Sequence, residues 1–175
     1  FVEVSQSMGL EDASWTGDAS AVDINADGWQ DLYVLNMQGS DQYYENDRGR
    51  RFVRKTREFF PRTPWGSMGI QVFDWDSDGL LDLYITDMHS DMSKGVEWNR
   101  EKEKAEVEYT EDFLQTGGMS IFGNAFYRNL GGGRFEEISD RIGAETYWPW
   151  GLSTGDLNAD GYDDVLVSVF LNIQS

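Results

Sequence analysis

Cysteine is absent from the 175 residues, which excludes thiol catalysis, disulfides, c-type haem attachment and cysteine zinc sites. Histidine occurs once, as His89 in Thr86-Asp-Met-His-Ser-Asp91, without the partners a relay or imidazole metal site needs; a plain loop role is expected for it. No apolar run approaches the ~20 residues that span a bilayer. Positive charge is scarce: 14 Lys and Arg stand against 32 Asp and Glu, a formal net charge of -18. Such a surface repels nucleic acid and anionic lipid, so neither is expected as a partner. There is no GxSxG nucleophile elbow, and the glycines at 131–133 precede a strand-like run, which makes them a hairpin turn and not a phosphate cradle. Acid pairs are too abundant to single out a glycosidase couple. The chain opens at Phe1 without initiator Met or signal-like segment, and is expected to be processed or a fragment.

What is present is a folded composition, 39% apolar and 14% aromatic, and one nine-residue pattern written three times. The copies are Asp23-Ile-Asn25-Ala-Asp27-Gly28-Trp29-Gln-Asp31, Asp74-Trp-Asp76-Ser-Asp78-Gly79-Leu80-Leu-Asp82 and Asp156-Leu-Asn158-Ala-Asp160-Gly161-Tyr162-Asp-Asp164. Side-chain oxygens at positions 1, 3, 5 and 9 converge on one point only if the backbone turns sharply, and the glycine at position 6 permits that turn. Position 7, Trp29, Leu80 or Tyr162, is expected to add a backbone carbonyl. Such an oxygen cage suits Ca²⁺, which tolerates six to eight oxygens, better than Mg²⁺, which keeps its waters in a stricter octahedron. The last acid stands at position 9 instead of 12 and strand-like runs flank the loop, so it is not an EF-hand. Acidic Asp-Gly turns without an ion would account for one copy; three copies with every ligand position filled favour three calcium sites. Weak, multiple sites of this kind suit an extracellular, cell-surface or periplasmic space.

The loops start at residues 23, 74 and 156. A second marker repeats with them: Phe1-Val-Glu-Val-Ser before Gly9, Phe52-Val-Arg-Lys-Thr, and Phe135-Glu-Glu-Ile-Ser before Gly143. Both describe a unit of about 50 residues, with some 30 inserted in the second interval. The repeats are thus placed at 1–51, 52–134 with an insert at about 87–122, and an incomplete third at 135–175. Each unit reads as four short strands: a small-residue run before the loop (Ala19–Val22, Gly69–Val72, Gly151–Thr154), a β-rich run after it (Leu32–Leu35, Leu83–Thr86, Val165–Val169), a third at Gln42–Asn46 or Ala125–Asn129, and a fourth beginning at Phe52 or Phe135. Phe1-Val-Glu-Val would be a further fourth strand at the start, making eleven.

A repeated four-stranded unit describes a propeller blade. The three loops, with Tyr127-Arg-Asn129-x-Gly-x-Gly-x-Phe135-x-Glu-Ile-Ser and its weaker form Tyr44-x-Asn46…Phe52, resemble the FG-GAP/VCBS repeat β-propeller family. That family includes the integrin α-chain propeller, and the likeness is closer to the branch related to cartilage acidic protein. The fold class implied is all-β, a β-propeller arc of about three four-stranded blades with one short helical insert. An arc this short leaves unpaired edges, so it is expected to be part of a larger propeller or completed by another chain.

Within the insert, Val96–Tyr109 alternates charge and is expected to be a short solvated helix, either a contact site or a solvated flap. Trp15, Trp65 and Trp150 fall six to nine residues before each loop, read as one place in each unit, and are expected to pack between blades, whereas the unrepeated Trp148 is the better candidate for a ligand-facing aromatic. No catalytic constellation appears. The expected function is therefore a non-catalytic, calcium-binding propeller segment for extracellular protein or glycan interaction. The alternatives are a subunit that assembles into a filament or surface layer, and a polysaccharide-acting enzyme domain.

Overall fold

Each β-rich run that follows an acidic loop pairs backwards onto the small-residue run preceding it, and three sheets are built on such hairpins. The computed structural model describes residues 1–88, 120–121, 123–146 and 149–169. The first sheet is an antiparallel meander of β1 (Thr16–Val22), β2 (Asp31–Asn36), β3 (Gln42–Asn46) and β4 (Phe52–Arg54). A short α1 (Thr56–Phe59) and β5 (Thr63–Pro64) lead to β6 (Ser67–Phe73) and β7 (Asp82–Asp87). These two join β9 (Ala125–Asn129) and β10 (Phe135–Glu137) in a second four-stranded sheet, while β8 (Ser120–Ile121) pairs in parallel with β5. After α2 (Ser139–Ile142), β11 (Pro149–Gly155) and β12 (Asp164–Val169) form a third hairpin. This is a partial β-propeller: two complete blades and the inner hairpin of another.

The repeat extends to register. Leu32 faces Tyr44 across β2 and β3, and Leu83 faces Tyr127 across β7 and β9, so the long segment between β7 and β9 leaves the pairing undisturbed. Every first strand carries the same bulge at its second residue, between Thr16 and Asp18, Ser67 and Gly69, and Pro149 and Gly151.

That bulge corrects the expected equivalence of the tryptophans. Thr16, Ser67 and Pro149 occupy one position, so Trp15 precedes the strand by one residue, Trp65 precedes it by two, and Trp150 is itself the bulged residue. Only Trp65 is buried, at 6% exposure; Trp15 and Trp150 are 64% and 54% exposed. The position equivalent to Trp15 in the third unit is Trp148, which lies outside the described residues, as do His89 and the expected helix over 96–109.

A second correction concerns the opening strand. Phe1–Val4 forms none, because no described strand offers it a ladder; Phe1, Val2 and Val4 are exposed instead. What the Phe1 marker shares with its copies is the turn that follows. Leu10 donates its N–H to the Ser5 carbonyl at 2.9 Å, Ala144 donates to Ser139 at 2.9 Å, and Gly9 and Gly143 both take left-handed φ, 79° and 70°.

The interface between the two complete blades is aromatic. Phe60, fully buried just past α1, meets Tyr33 (5.2 Å), Tyr43 (5.7 Å) and Tyr127 (5.0 Å) with inclined rings, and Phe135 at 4.8 Å. Leu35, Ile70, Leu83 and Ile85 complete this core. A smaller cluster of Phe73, Tyr84, Phe126 and Ile138 receives Leu152 and Val167 from the third hairpin. There Gln71 Nε2 donates to the Leu152 carbonyl at 3.1 Å, tying the inner strands β6 and β11 together.

Candidate metal centres

All three acidic loops adopt one conformation. Position 4 (Ala26, Ser77, Ala159) takes a left-handed φ of 58°, 60° and 63°, and the glycine at position 6 takes 90°, 86° and 90°. A left-handed alanine or serine costs energy, and here it aims backbone N–H groups at the first aspartate. The Asp23 carboxylate accepts from the N–H of Asp27 (3.0 Å) and of Gly28 (2.8 Å). Asp74 accepts from Asp78 (3.0 Å) and Gly79 (2.9 Å), and Asp156 from Asp160 (3.0 Å) and Gly161 (2.9 Å). Position 5 accepts from position 7: Trp29, Leu80 and Tyr162 each donate their N–H to Asp27, Asp78 and Asp160 at 2.9 Å. Carboxylates are thereby held beside one another by main-chain donors.

Position 3 separates the second loop from the others. Asn25 and Asn158 each accept the following aspartate's N–H and donate Nδ2 back to its carboxylate, at 3.3 and 3.0 Å. In the second loop the residue is Asp76, and one oxygen each from Asp74, Asp76 and Asp78 lie within 4.8 Å of one another. Asp76 Oδ2 forms an ion pair with Arg128 on β9, whereas Asp76 Oδ1 is buried without a hydrogen-bond partner. Three converging carboxylates and an orphaned buried acceptor fit a hard divalent cation such as Ca²⁺.

Position 9 lies apart from the Asp74, Asp76 and Asp78 group and ties the loop to the sheet. Asp31, 0% exposed, accepts from Ile24 N–H (3.3 Å), Tyr43 O–H (2.7 Å) and Asn46 N–H (2.8 Å). Asp82, 1% exposed, accepts from Trp75 N–H (2.9 Å) and Asn129 N–H (2.7 Å). Asp164, in the third hairpin, accepts from Leu157 N–H at 3.0 Å. Burial pushes the carboxyls of Asp31 and Asp82 above the usual carboxylate range, against the lowering effect of those donors.

The Tyr-x-Asn marker acquires a role from the same geometry. Asn46 donates Nδ2 to the Gln30 carbonyl at 2.8 Å and accepts from Gly49 N–H at 2.7 Å. Asn129 donates to the Leu81 carbonyl at 3.1 Å and accepts from Gly131 N–H at 2.9 Å. Each asparagine clamps an acidic loop to the neighbouring β3–β4 or β9–β10 turn. Neither this clamp, nor the position-9 hub, nor Arg128 follows from loop spacing, since all three depend on which third-strand residue reaches the loop. The coincidence of Tyr-x-Asn with both complete units was the available signal.

A model described as the FG-GAP-like repeat matches residues 23–85 and 112–167, more than half of the chain. The first stretch begins at the leading aspartate of the first loop, and residues 86–111, part of the insert expected at about 87–122, are passed over. No curated protein matches the chain.

Proposed function

Since the chain belongs to the FG-GAP-like repeat family, we propose that it is a calcium-stiffened, non-catalytic β-propeller segment presenting a surface for protein or glycan binding outside the cytoplasm. The observation that carries the reading is the second loop, where one oxygen each from Asp74, Asp76 and Asp78 lie within 4.8 Å of one another and Asp76 keeps a buried oxygen without a hydrogen-bond partner. Crowded carboxylates repel one another, and a divalent cation turns that repulsion into attraction. Asp23, Asn25 and Asp27, and likewise Asp156, Asn158 and Asp160, would hold ions in the same way, with the carbonyls of Trp29, Leu80 and Tyr162 as further ligands, and Asp31, Asp82 and Asp164 bracing each loop from behind.

A bound ion would supply charge neutralisation and nothing else. The loops' own work is mechanical: Asp31 and Asp82 connect each loop to the third strand, so stiffening a loop stiffens its blade. Within the family, a closer kinship with the branch related to cartilage acidic protein than with the integrin α-chain propeller is supported by Tyr127-Arg-Asn129 and the turn into Phe135. The test is thermal unfolding with millimolar calcium and with excess chelator. Calcium should raise the midpoint by several degrees, as expected of a ligand that binds only the folded state; coincident melting curves would end the proposal.

A further inference from the structure

The metal loops join the end of β1 to the start of β2. At the opposite end of the same sheet, the residues before β1, the β2–β3 connection and the chain leaving β4 enclose a cleft of about 750 Å³. That is roughly within the 300–1,000 Å³ usual for small-molecule sites. Three of the chain's 14 cationic side chains, Arg54, Lys55 and Arg57, line it. Lys55 is paired with Glu45 at 2.9 Å. The two arginines have no carboxylate partner among the described residues. Arg57 is held by neutral acceptors, the Ser40 hydroxyl at 2.6 Å and the Pro61 carbonyl at 3.0 Å. Desolvation above all, with the like charge of Arg54 adding to it, holds the Arg57 guanidinium below its ordinary value.

The wall also carries two carboxylates, Asp12 and Glu58, which offset part of this charge, but neither pairs with an arginine among the described residues. Asp12 is occupied by the Ser14 N–H (2.9 Å) and hydroxyl and by Asn36 Nδ2 (3.2 Å). Glu58 is exposed at the rim. Trp65 is buried in the wall and Trp15 stands exposed beside it, and apart from Ala13 no aliphatic side chain contributes.

We propose that this cleft binds an acidic saccharide, a sugar carrying a carboxylate of the uronic acid type. Guanidinium groups pair with carboxylates in a planar, bidentate fashion. An indole face accepts the C–H edge of a sugar ring. The Gln38 amide and the hydrogen of the Ser40 hydroxyl supply partners for ring hydroxyls, while the Gln42 amide is held by the Ser40 carbonyl and the Thr56 hydroxyl. An acidic peptide, by contrast, would find almost no aliphatic surface for its neighbouring side chains. The inference gives a ligand class to the interaction role proposed above but does not depend on the ion sites.

The experiment is calorimetric titration of the full chain at fixed free calcium, and again in chelator, with trigalacturonate, neutral galactotriose, a sulfated galactose oligomer and a short polyglutamate peptide. Trigalacturonate should bind, and the neutral trimer should bind at least about tenfold more weakly, the loss expected for a charge-assisted pair. Arg54→Gln is the decisive variant, because that side chain makes no hydrogen bond among the described residues, and it should weaken trigalacturonate binding about tenfold at an unchanged melting temperature. Trp15→Ala should also weaken it. Equal binding of the neutral trimer or of polyglutamate, tighter binding of the sulfated oligomer, no binding at all, or indifference to Arg54→Gln would each overturn the assignment. Failure of calcium to shift the melting curve would instead overturn the ion sites and leave the cleft standing.

Discussion

Removing the position-9 carboxylate should damage the three blades to graded and predictable degrees. Asp31→Ala strands three donors, the Ile24 and Asn46 N–H groups and the Tyr43 hydroxyl. Asp82→Ala strands two, the Trp75 and Asn129 N–H groups, and Asp164→Ala strands one at an exposed loop. A buried donor left without a partner costs about 1–3 kcal/mol, and relief of a desolvated carboxylate offsets part of the sum. The expected losses are about 3–6 kcal/mol for Asp31→Ala, about 2–4 for Asp82→Ala and under about 1.5 for Asp164→Ala. Against the roughly 5–15 kcal/mol that holds a domain together, the first is severe. Urea unfolding in chelator measures all three without a contribution from any ion. The same order should persist in calcium. Equal losses, or an Asp164→Ala variant as damaged as Asp31→Ala, would show that the hydrogen bonds do not make position 9 a hub.

Two further outcomes follow from the packing. Asp41 is fully buried and accepts from Asn36 N–H (2.8 Å) and the Ser67 hydroxyl (2.7 Å), and in the second blade the same place is filled by Asn124, which accepts from Asp87 N–H at 2.9 Å. Desolvation first, then the nearby Asp87, push the Asp41 carboxyl well above its ordinary value. A raised native value means that stability is fully present below the unfolded carboxyl's titration and is lost as pH rises through the native one. Asp41→Asn should therefore flatten the decline of stability above about pH 4 and gain about 1–2 kcal/mol at pH 7, read from urea midpoints; an unaltered pH slope would refute this. Phe60→Ala, which empties the centre of the aromatic interface, should cost about 3–5 kcal/mol, and a loss below about 1 kcal/mol in the same assay would mean that the two blades do not depend on each other there.

Strands and loops were legible wherever short-range chemistry decides. Asp-x-Asn/Asp-x-Asp-Gly forces a reversal, β-branched residues follow, and the resulting hairpins of the first and second blades pair as the pattern implies. The fourth strands at Phe52 and Phe135 also formed, because β3 and β9 lie ready to pair with them. Phe1-Val-Glu-Val has a similar sequence and no such neighbour, so its propensity went unused. Tryptophan counting misled because a bulge shifts register by one residue, and linear distance from the loop does not reveal a bulge. The position-9 hub joins residues that lie 15 and 47 apart, and the cleft by Arg54 and Arg57 gathers segments between Asp12 and Trp65, which loop spacing cannot register. Side chains at the second position of each loop illustrate the same limit: Ile24 and Trp75 enter the two cores, while Leu157 is 67% exposed on the third hairpin.

Whether the oxygen-lined loops hold divalent ions is read from calorimetric titration of metal-stripped protein with CaCl₂. Three equivalents should bind the wild-type chain and two the Asp78→Ala variant, with the remaining pair unchanged. No heat of binding at millimolar calcium, or the same stoichiometry in both proteins, would contradict ion binding by the loops.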